Sequence, residues 1–485
     1  MVTVAVSVAL TRINLHTPPP THKSPAHTPQ TPPSNHTPWW RRTTKKPNHQ
    51  PERNGHRPRP HRPRFASTLP PMSSNLPTQW FQSITDRLDT WDSTGLTRTM
   101  AEFSTGQDPI CTIDGDSRVL FSSSNYLGLA QHPQVVGAAQ TALEIYGAGS
   151  GGSRLTTGTT DLHNGVERRI ASWLGYPECC FFATGYQANV GLISTLADEA
   201  TIIFSDQRNH ASIIDGCRLA KATRGTRTVV FPHRDAAALR TLLADYRTIY
   251  PDHRFLVISD GVFSMDGTCA DLPSLVDTAH EFGALVIVDD AHGIGTIGAS
   301  GRGVIDVSPD HAPDILVGTA SKALGAEGGF VCAPEPVVRL LRNQARSFVF
   351  STSTSAANMA AVGAAVGVVR SAGSPVPQLQ ANSLALREKL RDAGILETPE
   401  TAESAVPADP TECSPIIPIP IGAESTAMAV AAELRSRSFH VPAIRYPTVP
   451  RGAAILRVTV MATHSSSQIT DFVDAITDAL AHVSD

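Results

Sequence analysis

Three short apolar runs of the sequence end directly in residues that could do acid–base or amine chemistry. Because ligands in open α/β sheets bind beyond the carboxyl ends of the strands, these residues are expected to share one site. That site would gather carboxylates, an imidazole, hydroxyls and a lysine. The segments are Phe255–Ser259 followed by Asp260-Gly261-Val262-Phe263-Ser264, Leu285–Val288 followed by Asp289-Asp290-Ala291-His292, and Ile315–Val317 followed by Gly318-Thr319-Ala320-Ser321-Lys322.

This set of groups suits pyridoxal phosphate (PLP). The cofactor needs a lysine for a Schiff base and an acid that keeps its pyridine nitrogen protonated, so that the ring acts as an electron sink. Hydroxyls and backbone N–H groups bind its phosphate. Lys322, Asp289 and the pair Thr319 and Ser321 can take these roles. Taken singly, Lys322 could be a surface lysine, and the Asp289–His292 segment a metal site or helix cap; the ordered set favours PLP, with no metal.

Two glycine-containing segments could bring the backbone close to a ligand. Residues 147–152 match the GxGxxG pattern, but they follow a predicted helix, so the strand context of a dinucleotide site is missing. We interpret them as a loop near the active site. Thr184-Gly185-Tyr186 follows a predicted strand, and its amides could hold a phosphate. An ordinary tight turn is the alternative for this second segment.

The elements that must position these residues alternate between short apolar runs and amphipathic stretches. Continuous apolar runs are typical of strands buried on both faces, so the pattern predicts an α/β fold with a mostly parallel sheet. One helix is expected from Pro133 to a stop at Gly147, and another from a cap at Asp161 to a stop at Gly175. The other predicted strands are Cys180–Ala183, Ile202–Phe204 and Val229–Phe231.

The sequence divides into four predicted regions. Residues 1–71 are interpreted as a disordered, basic, proline-rich tail, and 72–126 as an N-terminal segment. Residues 127–368 are expected to form the large cofactor-binding domain. The pattern becomes richer in helix after about residue 370, which predicts a smaller α+β C-terminal domain over 369–485.

The tail differs in charge from the rest of the chain, whose overall formal charge is -4. Residues 1–71 hold 11 lysines and arginines, a single acid and 15 of the 37 prolines. Such a segment cannot bury a core. It could be an organelle transit peptide, a nucleic-acid or partner-binding arm, or a dispensable extension, including one that is not translated because the start is Met72. We favour the dispensable extension, because dense prolines oppose a transit helix, and we expect no nucleic-acid partner.

Composition excludes several other classes. The longest nearly unbroken apolar stretch, Met359–Val369, is far shorter than the roughly 20 residues of a membrane helix. The seven cysteines show neither a CxxC motif nor paired zinc spacing. That argues against a disulfide scaffold and suits a reducing compartment. We therefore expect a cytoplasmic enzyme with no membrane association.

A series of motifs in fixed order resembles the α-oxoamine synthases, a family of PLP enzymes of fold type I. The resemblance runs from about residue 90 to the C-terminus. It implies a large domain with a mostly parallel sheet and a smaller α+β domain. The motifs are Tyr126-Leu127-Gly128-Leu129, residues 149–154, Thr184-Gly185-Tyr186, Asn209-His210-Ala211-Ser212, residues 261–267, residues 289–293, Ser321-Lys322, Ser351-Thr352-Ser353 and residues 443–450.

The resemblance implies a role for each matching residue around the cofactor. Lys322 would form the Schiff base and shuttle the Cα proton, and Asp289 would pair with the pyridine nitrogen. His210 would stack on the ring. The remaining cofactor contacts would come from Ser264 and His292 at the phenolic oxygen or adjacent substrate, from Gly185, Tyr186 and Thr319 around the phosphate, and from Thr352, which would reach the phosphate of the neighbouring subunit in a homodimer.

The resemblance also implies where the substrates bind. Arg457 lies inside the apolar run Ile455–Val458 and would bind the amino-acid carboxylate; a structural ion pair is the alternative. Thr448 would lie in the substrate site. The family usually has Asn-Asp before Tyr126, where this chain has Ser124-Asn125, so a contact from Ser124 to the substrate is in question. Arg98 is the candidate for the family's acyl-binding arginine, although its register differs by about one residue.

Within the family, the 289–295 and 444–450 segments most resemble the members that condense L-alanine with a pimeloyl thioester in biotin synthesis. Decarboxylation then gives 8-amino-7-oxononanoate, CO2 and a free thiol. The alternative is a sibling such as 2-amino-3-ketobutyrate ligase, which uses glycine and acetyl-CoA, 5-aminolevulinate synthase or serine palmitoyltransferase. A more remote alternative is a binding protein that kept the PLP fold and lost catalysis, which the intact set of site residues opposes.

Overall fold

The computed structural model describes residues 78–397 and 410–484. The tail predicted over residues 1–71 lies outside the described residues. Residues 81–485 form one compact unit, which holds every element below except the first three residues of the first helix. The predicted boundaries at residues 127 and 369 stay a prediction.

A seven-stranded sheet forms the centre of this unit, with strand order β3-β9-β8-β7-β6-β4-β5. The neighbours β5, β4, β6, β7 and β8 are parallel, whereas β9 runs antiparallel to both β8 and β3. Two three-stranded sheets have the orders β1-β2-β11 and β10-β13-β12. The strands are β1 Ile110–Ile113, β2 Asp116–Leu120, β3 Glu178–Phe182, β4 Thr201–Asp206, β5 Arg227–Phe231, β6 Arg254–Asp260, β7 Ala284–Asp289, β8 Ile315–Thr319, β9 Gly329–Ala333, β10 Ile416–Gly422, β11 Phe439–His440, β12 Ala443–Ile444 and β13 Ala454–Thr459.

The central strands are apolar along their length because both faces of the sheet are covered. In β6, Phe255 and Val257 belong to one hydrophobic cluster, while Leu256 and Ile258 belong to another on the opposite face. Every residue of β4 and β8 is buried. Alternate side chains point to opposite faces, so a strand between two cores must be apolar at every position. All six strands predicted from apolar runs are present, and the predicted α/β class is confirmed.

Fourteen α-helices accompany the sheets in the described part of the chain. They are α1 Thr78–Ser93, α2 Pro133–Tyr146, α3 Asp161–Leu174, α4 Gly185–Leu196, α5 Ala211–Arg224, α6 Ala236–Ile249, α7 Leu272–Glu281, α8 Val304–Val307, α9 Glu335–Gln344, α10 Arg346–Val349, α11 Ala356–Val369, α12 Val376–Asp392, α13 Glu424–Ser436 and α14 Ser466–Ser484. No described helix is both long enough and apolar enough to span a bilayer.

The ends of α2 and α3 follow the sequence signals with one correction. Helix α2 begins at Pro133 and stops at Gly147, as predicted. Helix α3 stops at Gly175, whose φ of 81° lies in the left-handed region that glycine tolerates. The predicted cap Asp161 is instead the first helical residue. Thr160 is the N-cap, and the His163 side chain closes the capping box with it.

A buried histidine ties the N-terminal strands to the C-terminal helix. His464 is 4% exposed, and its ring stacks on Phe121 with centroids 4.2 Å apart. Its Nδ1 accepts the Met461 backbone N–H at 2.8 Å, which leaves Nε2 to donate to the Leu120 carbonyl at 3.1 Å. Burial lowers the pKa of His464 to about 4. The neutral ring is therefore part of the folded structure.

Acid should destabilise the fold through His464. Because its folded pKa of about 4 lies below the ordinary value of 6.5, protonation favours the unfolded chain. The stabilisation present above pH 6.5 is lost as the pH falls toward 4, by roughly 2 kcal/mol at pH 5. We expect His464→Gln to reduce the loss of unfolding free energy between pH 7 and pH 5 in urea titrations. The same change at exposed His482 should leave that loss as in the wild type; equal losses in all three proteins would contradict the assignment.

Candidate active site

The carboxyl ends of β6, β7 and β8 and the N-termini of α4 and α5 surround one cavity of about 240 Å³. Parallel strands end at the same edge of a sheet, which is why three separate segments of the chain meet here. Its lining residues are Thr184, Gly185, Tyr186, Asn189, His210, Ser212, Asp260, Val262, Ser264, Asp289, Ala291, His292, Thr319, Ser321 and Lys322.

Lys322 provides a half-buried amine in the cavity wall. It lies in the turn after β8, and no hydrogen bond or ion pair to its Nζ is found among residues 78–397 and 410–484. Burial lowers the pKa of Lys322 to about 8, against the opposing charges of Asp289 and Asp260. A lysine in this range is partly neutral near physiological pH, so Nζ can act as a nucleophile or a base.

Asp289, the last residue of β7, is a buried carboxylate with a fixed orientation. Its Oδ1 accepts the Ala291 backbone N–H at 3.0 Å, and its Oδ2 accepts the Asn189 side-chain amide at 2.6 Å. Asn189, on the second turn of α4, also donates to the Ser212 hydroxyl at 2.8 Å. These bonds leave carboxylate lone pairs free to accept a hydrogen bond from a protonated ring nitrogen in the cavity.

A second acid, Asp260, ends the neighbouring strand β6 and faces Asp289 across the sheet register. Burial, with the nearby charge of Asp289, raises the pKa of Asp260 well above its ordinary value. Its Oδ1 accepts the His210 backbone N–H at 3.3 Å, at the start of α5. The His210 side chain contacts the Ser212 hydroxyl through Nδ1 at 2.7 Å, and the residue is otherwise exposed to the cavity.

His292 forms the wall next to Lys322 and is neutral. Burial lowers the pKa of His292 well below its ordinary value, and the positive charges of Lys322, Arg457 and His210 lower it further. Its Nδ1 lies 2.8 Å from the hydroxyl of Tyr126, which is fully buried. A neutral imidazole can donate a hydrogen bond through one ring nitrogen and accept one through the other.

One end of the cavity is built to hold an anion. Backbone N–H groups of Gly185 and Tyr186 open α4, where the helix dipole favours negative charge. The Thr319 hydroxyl lies 2.8 Å from that of Ser321. A Cβ atom on Gly185 would lie 3.4 Å from the Thr319 hydroxyl oxygen, so Gly185 and Thr319 are close neighbours at this end. Tyr186 is half-exposed, and its hydroxyl donates to Asp215 at 2.7 Å.

Arg457 adds a buried cation beside the cavity. It is 8% exposed, in β13, and its Nε donates to the Ser264 carbonyl at 2.6 Å. No carboxylate pairs with its guanidinium among the described residues, so the structural ion pair considered as an alternative is not found there. An unpaired buried guanidinium is costly, and a carboxylate ligand would satisfy its remaining N–H groups.

Two further predicted residues, Arg98 and Thr448, line a different and larger cleft of about 860 Å³. Its walls come from residues 97–103, helix α13 and the segment from β11 to β12. Arg445 donates to the carbonyls of Gly95 and Thr97 and so fixes the chain beside Arg98. The cleft combines apolar side chains with the arginines at 98, 435 and 445, which suits a long ligand with an acidic group.

The last two predicted residues lie outside both linings. Thr352 is exposed and forms a β-bridge with Ser153 of the glycine-rich loop. That loop, expected near the active site, contacts the 351–354 segment through the Ser353 N–H and Gly152 carbonyl at 2.9 Å. Ser124 is half-buried and lines neither cavity, while its neighbour Asn125 is engaged by Gln107 and Ala130.

Two residues of the site were not predicted from the sequence. Asp260, which follows an apolar run, was grouped with the site but was given no role of its own. Asn189 lies on a helix, with no motif to set it apart. Tyr126 is part of a quoted motif, but its 2.8 Å contact with His292 joins residues 166 positions apart. Only the folded chain brings those two together.

These observations define the site of a PLP enzyme with an α/β fold. The unpaired amine of Lys322, the oriented carboxylate of Asp289 and the anion-binding end at Gly185 and Thr319 match the aldehyde, pyridine nitrogen and phosphate of that cofactor. Asn189 Oδ1 is buried without a hydrogen-bond partner, as expected of a wall that faces a missing group. The residues present therefore fit PLP.

Comparison with known proteins agrees with this class. A family model for aminotransferase class I and II matches residues 117–476. The chain is 42% identical to 8-amino-7-oxononanoate synthase of Geobacter sulfurreducens, covering 81% of this chain and 97% of that protein. It is 45% identical to biotin biosynthesis bifunctional protein BioWF of Corynebacterium kroppenstedtii, covering 85% of this chain. It spans only 59% of that bifunctional relative's length.

A solved structure shows the same fold. Serine palmitoyltransferase from S. paucimobilis, with a bound PLP–myriocin aldimine, superimposes with a TM-score of 0.75 at 29% identity. The match covers 84% of this chain and 99% of that one. The chain belongs to the aminotransferase class I and II family and, within it, to the 8-amino-7-oxononanoate synthase group. The predicted family, fold class and PLP dependence are thereby confirmed.

Lys322→Ala should abolish covalent attachment of PLP. We expect full-length protein mixed with PLP to show the visible absorbance of a protonated Schiff base, and borohydride to fix the label on Lys322. Lys322→Ala should show neither, because no other lysine lines the described cavity. The matched control is Lys221→Ala, at an exposed position in the last turn of α5, which should behave like the wild type. A wild-type spectrum from Lys322→Ala would contradict the assignment.

Proposed function

We propose that this protein condenses L-alanine with a pimeloyl thioester, either of CoA or of a carrier protein, to give 8-amino-7-oxononanoate, CO2 and the free thiol. The observation that carries the proposal is a lysine in the cavity wall and, bonded to Ser264 of the same wall, a buried arginine that no carboxylate pairs among the described residues. That pair offers an amine to a cofactor and a clamp to an amino-acid carboxylate. The similarity to 8-amino-7-oxononanoate synthases supports the choice of substrates.

PLP, when bound, would act as an electron sink that stabilises negative charge at the Cα atom of the amino acid. Lys322, Asp289 and the Gly185–Thr319 end of the cavity would hold it. The carboxylate of Asp289 would keep a proton on the pyridine nitrogen. His210, exposed to the cavity at the start of α5, would cover one face of the ring.

Proton transfer at Cα would be performed by Lys322. Its pKa of about 8 places it close to physiological pH, where a base is both available and strong enough. Arg457 would hold the alanine carboxylate and so orient the Cα–H bond for removal. His292, neutral and adjacent to Lys322, would donate a hydrogen bond to the bound ligand. Ser264 would lie beside it, and its carbonyl already orients Arg457.

The acyl donor would occupy the larger cleft. Arg98 has no ion-pair partner among the described residues and could bind the free carboxylate of a pimeloyl chain. Thr448 lines the same cleft, and apolar residues such as Met428 and Phe439 would contact the methylene chain. A role for Ser124 in substrate binding would require a movement of the 122–125 segment, because Ser124 lines neither cavity.

A homodimer would complete the site. Thr352 is exposed and held next to the glycine-rich loop, beside Phe350, which is 73% exposed. An exposed aromatic beside a polar residue suits a contact with a second copy, in which Thr352 would reach the neighbouring phosphate. Cys111, Cys179, Cys180, Cys217 and Cys332 are free thiols, which suits action in the cytoplasm.

Substrate pairs distinguish this activity from its siblings. Purified full-length protein with PLP should release CO2 and free thiol with L-alanine plus pimeloyl-CoA. Glycine plus acetyl-CoA and L-serine plus palmitoyl-CoA should give little product. Turnover with one of those two pairs instead would move the function to a sibling of the same family. No turnover with any pair, despite a Schiff base on Lys322, would favour a binding protein that has lost catalysis.

Substitution of Arg457 and of Arg98 should each raise the KM for a different substrate. Arg457→Gln removes the carboxylate clamp and should raise the KM for L-alanine about tenfold or more, since charged hydrogen bonds are lost. Arg98→Gln should instead raise the KM for pimeloyl-CoA by a similar factor. Arg218→Gln, at an exposed position on α5, should change neither constant. If both site variants raised the same KM, the assignment of two separate substrate regions would be wrong.

A further inference from the structure

We propose that Tyr126 is a positioning residue that holds His292 in a single tautomer, with the proton on Nε2. This inference rests on the proposed function, because it concerns the hydrogen bond that His292 offers to a ligand in the cofactor cavity. The observation behind it is the isolated contact between the Tyr126 hydroxyl and His292 Nδ1 at 2.8 Å.

The contact is closed to other groups. Tyr126 is 0% exposed and His292 is 7% exposed. Across residues 78–397 and 410–484, neither the Tyr126 hydroxyl nor His292 Nδ1 has another hydrogen-bond partner. The hydroxyl and Nδ1 must therefore serve as hydrogen-bond donor and acceptor to each other.

The neutral state of the imidazole makes the arrangement a choice between two tautomers. Nearby positive charges from Lys322, Arg457 and His210, together with burial, keep His292 uncharged. One ring nitrogen of a neutral imidazole carries a proton and the other accepts one. The hydrogen bond made by one ring nitrogen therefore decides whether the other nitrogen carries the proton.

Only one of the two tautomers satisfies both groups. If Nδ1 carried the proton, it would donate to the Tyr126 oxygen, and the phenolic O–H would be left buried without an acceptor. Leaving a buried donor unpaired is unfavourable. If Nε2 carries the proton, the phenolic O–H donates to Nδ1 and both groups are paired. Nε2, with no partner among the described residues, is then a donor toward the cavity.

The backbone around both residues keeps the contact in place. The Tyr126 carbonyl accepts the Ala462 N–H at 2.7 Å, which joins the turn after β2 to the segment after β13. The His292 carbonyl accepts the Thr296 hydroxyl at 2.6 Å. Gly293 follows directly, and a Cβ atom there would lie 2.0 Å from Asp290 Oδ1. These contacts hold the backbone from which both side chains extend.

A fixed Nε2–H has a definite chemical consequence. It can donate to an anionic oxygen of a bound cofactor or amino acid, and it cannot accept a proton there. Lys322 is then the group beside it that is left to accept the Cα proton. Tyr126 would thus separate the roles of donor and base without touching substrate itself.

The test reads the tautomer directly. Full-length protein labelled with ring-15N histidine, loaded with PLP, is examined by NMR, and the His292 signals are identified by their loss in His292→Gln. We expect a protonated Nε2 and an unprotonated Nδ1 in the wild type. Tyr126→Phe should give a mixture of both tautomers. The matched control Tyr176→Phe, which loses a hydroxyl bonded to the Pro313 carbonyl away from the cavity, should retain the wild-type pattern.

Kinetics supply the second measurement. Tyr126→Phe should lower kcat about tenfold, the effect of one lost hydrogen bond, and leave the KM for L-alanine unchanged because Arg457 is untouched. A protonated Nδ1 in the wild type would overturn the inference, as would an unaltered tautomer in Tyr126→Phe. The wild-type spectrum decides the question even if the variant does not fold. Because the tautomer is read without substrate, a failure of the alanine assay would leave this result standing.

Discussion

Two cations without carboxylate partners are the feature on which the rest of this structure depends. Lys322 lines the cofactor cavity and Arg457 is bonded to Ser264 of its wall, and no ion pair neutralises either of them in the part of the chain described. Burial alone would make such an arrangement unfavourable. The negative charges of Asp289 and Asp260 offset part of the free-energy cost of burying the Lys322 amine. The lowered pKa of Lys322 shows that burial still outweighs them. Anionic ligands, a phosphate and a carboxylate, would supply the rest.

The sheet makes this arrangement possible by ending its parallel strands at one edge. Behind that edge, Asp290 fills a space that only glycines leave open. A Cβ atom on Gly303 would lie 1.8 Å from Asp290 Oδ2, and one on Gly261 would lie 2.5 Å from Oδ1. Asp290 accepts the Val304 N–H at 2.9 Å, so it joins the turn after β7 to helix α8. The position of His292, two residues on, follows from this packed turn.

Much of the fold was predictable because the central strands are apolar on both faces. The runs that become β6, β7 and β8 also place their polar residues at the correct edge, which is why Lys322, Asp289 and His292 could be grouped from the sequence. Strand β9, the short run Gly329–Ala333, was not predicted, and it pairs with β8 on one side and β3 on the other. Its antiparallel direction depends on tertiary structure.

Side-chain partnerships across the chain were beyond prediction for a different reason. Asn189 is hydrogen-bonded to Asp289, 100 residues away in sequence, and Tyr126 is hydrogen-bonded to His292, 166 residues away. Neither pairing follows from spacing or periodicity. The structure also places Arg98 and Thr448 in a cleft whose lining shares no residue with the cofactor cavity, a separation that the sequence does not indicate.

That separation bears on how one fold serves several acyl transfers. The cofactor cavity is built from strand ends, and the overall fold is shared with a serine palmitoyltransferase at 29% identity. The larger cleft is built from residues 97–103, α13 and the β11–β12 segment, none of which forms the edge of the central sheet. On the proposed function, changes in that cleft would alter the acyl donor without moving Lys322 or Asp289. The amino acid, in contrast, would be selected beside Arg457, which would orient it for the reaction.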